Sequence, residues 1–72
     1  MNIVANNIRR IIEDRGLKQK KAAELCGYSQ QTFSALLTGR KLIKTEDIIA
    51  FCNGLDITPN ELYIQTPKSH TA

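Results

Sequence analysis

At 72 residues, with 42% hydrophobic and 24% charged residues and a formal net charge of +3, the chain predicts one thin-cored globular domain rather than a disordered polyelectrolyte. No apolar run approaches the length of a membrane span, and no basic stretch leads into an apolar one at the N-terminus, so neither a transmembrane helix nor a secretion signal is expected and the localisation expected is cytoplasmic.

The predicted elements are all helical, with glycines as punctuation. Val4, Ile8, Ile11 and Ile12 recur at helical spacing, Asn2 is a suitable N-cap, and Gly16 stands where a helix end needs a left-handed residue, which predicts a first helix over about 3–15. A second helix, about 19–26, turns Ala22, Ala23, Leu25 and Cys26 inward and ends at Gly27. Ser29 caps a third over about 30–38, closed by Gly39. Thr45 is read as the cap of a fourth, about 46–53, with Glu46 and Asp47 set against its dipole, Ile48, Ile49, Phe51 and Cys52 inward, and Gly54 as its stop. Thr58-Pro59-Asn60-Glu61 combines an N-cap threonine, proline at the first helical position and glutamate at the third, which starts a fifth helix over about 59–64. No segment alternates as a strand does. Residues 1–64 thus form the predicted domain, all-α and five-helical, and 65–72 a frayed tail.

The chemistry-bearing residues exclude more than they offer. Cys26 and Cys52 lack the CxxC spacing and fall on apolar faces, so they read as buried small hydrophobes rather than a disulfide. With His70 as the single histidine, no zinc set assembles from cysteine and histidine, and neither metal nor cofactor is expected. No acid–base pair or nucleophile–histidine set can be placed, so no enzyme is expected. Charge, by contrast, is sorted along the chain. Arg9, Arg10, Arg15, Lys18, Lys20 and Lys21 face only Glu13 and Asp14 early on; Arg40, Lys41 and Lys44 follow with no acid; Glu46, Asp47, Asp56 and Glu61 then have no base among them. That arrangement suits a polyanion on one side of the molecule.

The stretch from Gln19 to Gly39 has the requirements of a helix-turn-helix: two helices joined by a short glycine-containing turn and crossing steeply. Ala23 is small enough for close approach, Gly27 supplies a positive φ, and Ala22, Cys26, Tyr28, Phe33 and Leu36 are apolar where the angle between the helices must be held. At 100° per residue, Phe33, Leu36 and Leu37 form an inward arc of the third helix. Gln31, Ser34, Ala35 and Thr38 point the other way, with Gln30 on the flank. This outward face carries amides and small groups without charge. Glutamine presents a donor and an acceptor together, which matches adenine N6 and N7 in the major groove. Small neighbours admit the helix to base edges, and Ala35 is suited to a thymine methyl.

The same stretch resembles the lambda-repressor and Cro-like (Xre) family of bacterial and phage regulators. Gly16-Leu17-Lys18-Gln19 is similar to that family's helix-ending Gly-Leu-x-Gln. Gly39-Arg40-Lys41 is similar to its glycine-plus-basic segment, and Ile48 to Leu55 followed by Thr58 to Leu62 to its closing helices. The resemblance spans about residues 4–64. It implies base readout by Gln30, Gln31, Ser34, Ala35 and Thr38, the paired glutamines resembling those with which several phage repressors read A·T-rich half-sites. It also implies phosphate contact by Gln19, which would brace Gln30 as well. Ser29, Arg40, Lys41 and Lys44 are the further phosphate candidates, ahead of Lys20 and Lys21. Arg9 and Arg10 read as a solvated helix face. Ile12 and Leu37 stand where the family often has a buried Arg–Glu pair, Lys18 where it prefers a capping side chain, and Ile43 near a common proline, where packing or a dimer contact would use it. The function implied is a sequence-specific transcriptional repressor bound as a homodimer to the major groove of double-stranded DNA at a pseudo-palindromic operator. Its dimer contacts would lie near Leu55, Ile57 and Tyr63, and no small-molecule ligand is implied. The alternative is an antitoxin or mobile-element regulator acting chiefly through a protein partner.

Overall fold

Asn2 begins the first helix by satisfying the backbone donors that a helix start leaves free: its side-chain oxygen accepts from Val4 N–H at 2.7 Å and Ala5 N–H at 3.3 Å. The computed structural model describes residues 2–64, which form α1 (Ile3–Asp14), α2 (Gln19–Cys26), α3 (Gln30–Thr38), α4 (Thr45–Leu55) and α5 (Pro59–Tyr63), with no strand among the described residues. Helix α1 packs on α3 and α5, while α2 packs on α3 and α4. The core is filled by Ile8, Ala22, Phe33, Leu36, Phe51, Leu55 and Leu62, none of them more than 1% exposed. Ile12 and Leu37, the apolar pair expected where relatives carry opposite charges, are both buried. Replacing both partners in this way leaves no uncompensated buried charge.

Gly16, Gly27 and Gly39 all have positive φ and terminate α1, α2 and α3 as their positions predict. Gly54 does not terminate α4. That helix begins one residue earlier than predicted and runs two residues further, so Thr45 is its first residue and Lys44 its N-cap. The start is held by the Asp47 carboxylate, which accepts from Lys44 N–H at 2.9 Å. Its end is at Asp56, a non-glycine residue at φ 54°, where the Leu55 carbonyl accepts from the Arg15 guanidinium. Gly54 is required inside the helix because α4 lies directly against the end of α2. A Cβ there would come within 2.6 Å of Leu25 O and 2.7 Å of Cys26 Cα.

Two residues expected inward are not. Leu25 is 45% exposed and Ile49 56%, while Cys26 and Phe51 close to them in sequence take the buried positions. Ile64 follows α5 instead of ending it, and Ile43 packs half-buried against the core. Leu55 and Ile57 are 1% and 8% exposed, which corrects their assignment to a dimer surface; of that group, Tyr63 alone is exposed. Cys26 is buried and Cys52 half-buried, both as free thiols. Burial pushes the Cys26 thiol up to about 11. The tail at 65–72, with His70, lies outside the described residues.

Asn7 is the one buried polar residue among those described, at 1% exposure. Its amide donates to Leu62 O at 2.6 Å and Ile64 O at 3.0 Å, and its oxygen accepts from Arg10 at 3.1 Å. This clasp fixes α5, a five-residue helix too short to hold itself. Asn7→Ala leaves two carbonyls without their donor and is expected to cost about 2–3 kcal/mol. Asn7→Leu, which restores volume without donors, is expected not to rescue it in a thermal melt.

Candidate nucleic-acid interface

The surface in question is set by the joint between α2 and α3. At that joint Gly27 adopts φ 84°, Tyr28 N–H reaches back to Ala23 O at 2.9 Å, and Ser29 Oγ accepts from Thr32 N–H at 3.2 Å to start α3. Ala22 and Ala23, 0% and 1% exposed, keep α2 close to its neighbours. Phe33, Leu36 and Leu37 turn inward, so the opposite arc of α3 must face out.

Tyr28 then ties this joint to α4. Its ring centroid lies 6.2 Å from that of Phe33 and 5.9 Å from that of Phe51, while Phe33 and Phe51 meet edge-on at 6.0 Å. Its hydroxyl donates to the Asp47 carboxylate. Burial, reinforced by that hydrogen bond and the charge of Asp47, pushes the Tyr28 phenol above its ordinary value. For Asp47, burial opposes ionisation. The hydrogen bonds from Tyr28 and Lys44 N–H, with the charges of Lys41 and Lys44, outweigh it and hold the carboxyl below its ordinary value. A tyrosine in the turn and an aspartate in a first turn are both visible in the sequence. Their pairing across 19 positions is not.

Gln19, Gln30, Gln31, Ser34, Ala35 and Arg40 line a single surface depression. Both glutamines of α3 are exposed, whereas Ser34 and Ala35 are half-buried and shape its floor because they are small. Arg40 is held at its rim by the backbone: Arg40 N–H and Lys41 N–H donate to Ala35 O at 3.0 and 3.1 Å, and the Gly39 N–H shares that acceptor. Thr38 Oγ also donates to it, at 3.4 Å. The end of α3 and the start of the basic loop are therefore one piece.

The other candidates are distributed around this depression. Thr38 and Lys41 line a neighbouring one that also contains Leu42, which is 75% exposed. Lys44 lies in a groove beside Asn2 and Thr45. The Ser29 hydroxyl is engaged at the cap, donating to Thr32 Oγ at 3.0 Å. Lys20 and Lys21 flank a separate hollow with Gly16 and Leu17. Arg10 is committed to Asn7 and to an ion pair with Asp14 at 3.7 Å.

Charge at the helix starts separates the two halves of the molecule. The first turns of α1, α2 and α3 carry no acidic residue, whereas α4 has Glu46 and Asp47 and α5 has Glu61. The Lys18 side chain makes no capping hydrogen bond at the start of α2. The positive dipole ends of α2 and α3, like that of α1, are thus left without a compensating acid, which favours an anion near them.

A family model described as a helix-turn-helix domain matches residues 4–62, which covers all five helices almost from end to end. No curated protein and no solved structure gives a match. Among the described residues, no helix is long and apolar enough to cross a membrane.

Proposed function

We propose that this chain, which belongs to the helix-turn-helix domain family, is a sequence-specific repressor of the lambda-repressor/Cro-like (Xre) type. One observation carries the reading: the glutamines of α3, the small residues Ser34 and Ala35 one turn on, Gln19 and Arg40 meet in one depression on an otherwise uncharged helix face. In this reading α3 enters the major groove, where Gln30 and Gln31 read base edges. Ser34, Ala35 and Thr38 provide the close fit, while Gln19, Ser29, Arg40, Lys41 and Lys44 hold backbone phosphates. A domain this small spans few base pairs. Two copies on a pseudo-palindrome, with half-sites about one helical turn apart, supply the remaining specificity.

The deciding experiment is selection of bound sites from random double-stranded DNA. The expected product is an A·T-containing half-site, repeated in inverted orientation. Recovery of an unenriched pool, with no salt-sensitive affinity for any duplex, would sink the proposal.

A further inference from the structure

The cations of α1 are not equivalent. Arg10 is bound to Asn7 and Asp14, and Arg15 donates to the Leu55 carbonyl. Arg9 is exposed and makes no ion pair or side-chain hydrogen bond among the described residues. It lines a depression with Ile12, Glu13, Leu17, Gln19 and Leu37. Gln19 lines the glutamine depression as well, so the two hollows abut across a single side chain. A phosphate held at Gln19 would thus have Arg9 in the adjoining hollow.

We propose that Arg9 binds a further backbone phosphodiester of the duplex, next along the strand from the one at Gln19, so that α1 belongs to the footprint. This rests on the DNA-reading function proposed above. Ile12, Leu17 and Leu37 give the hollow apolar walls. The stem of Arg9 can lie along them with its head outward, and they thin the water that would screen its charge. The planar guanidinium matches two phosphate oxygens at once, which an ammonium does not. Glu13 lies one turn along from Arg9 in the same hollow, where its carboxylate opposes a phosphate.

The test compares the salt dependence of binding to the selected site and to random duplex for the wild-type protein and for Arg9→Gln, Glu13→Gln and Arg40→Ala. Losing one phosphate contact makes the slope of log affinity against log salt shallower by about 0.9, so the deficit of Arg9→Gln shrinks roughly threefold between 50 and 200 mM salt. The change is expected equally on both DNAs, with an unaltered melting temperature because Arg9 is exposed. Glu13→Gln is expected to tighten binding to both. A wild-type slope for Arg9→Gln alongside a reduced slope for Arg40→Ala overturns this inference and leaves the DNA-reading function standing. A loss confined to the selected site also overturns it, since Arg9 would then be reading bases. Absence of salt-dependent binding by the wild-type protein overturns both.

Discussion

Gly54→Ala is expected to destabilise the domain by about 2–3 kcal/mol, lowering its melting temperature by roughly 10–20 °C. The sign is informative because helix propensity alone predicts the reverse. Alanine in a helix interior is favoured over glycine by about 1 kcal/mol. At this position, however, the added methyl would meet Leu25 O at 2.6 Å, Cys26 Cα at 2.7 Å and Cys26 Sγ at 2.8 Å. Two of those three atoms are backbone, which no rotamer change can move. Relief requires α4 to lift from α2, and that opens the aromatic cluster of Tyr28, Phe33 and Phe51 beneath the turn. A domain of this size has a total stability of only about 5 kcal/mol, so the loss would be plain in a thermal or urea melt. An alanine variant more stable than the wild-type protein would show that the two helices do not approach this closely.

Gln30→Ala and Gln31→Ala are each expected to weaken binding to the selected site by about 1–3 kcal/mol, roughly five- to 150-fold. Affinity for random duplex should stay within about twofold, because phosphate contacts carry non-specific binding. Both side chains are exposed, so neither change should alter the melting temperature. Fluorescence anisotropy on both DNAs separates the outcomes. Equal losses on both would make the glutamines phosphate contacts. No loss on either would remove α3 from the interface.

The local grammar of the fold was readable from the residues themselves. Asn2 and Ser29 cap where their side chains allow, and three of the four glycines sit at positive φ where helices stop. The inward arc of α3 follows from its spacing. What escaped reading depends on distant partners. Gly54 looks like a stop signal because glycine usually is one, and only the approach of α2 reveals why it lies within a helix. Asn7 reads as one more polar residue on α1, since its acceptors lie 55 and 57 positions away. Leu25 and Ile49 sit in short apolar runs, where periodicity cannot say which member faces out. Leu55 and Ile57 were misplaced at a surface because nothing local distinguishes a core residue from a contact residue. The candidate site was legible as a set of residue types on one helix face. Gln19 and Arg40 joined that set only through the family resemblance, and that Arg9 lies beyond them required the fold.

The Asn7 clasp also bears on how the chain is threaded. By holding the backbone at Leu62 and Ile64 to the second turn of α1, it brings the exit of the domain beside its entry, and Asn2 and Tyr63 border the same groove. The domain is therefore close to a ring. Its two described ends could be joined by a short flexible linker and new ends opened elsewhere, with the helices left in place. The α3–α4 loop would be the wrong place to cut, since its first residues are fastened to Ala35. The bend between α1 and α2 is fastened as well, through Gly16 and Leu17 N–H to Glu13 and Ile12 O, but a chain opened there would have its helix-turn-helix at the start and its clasp formed from adjacent rather than distant segments.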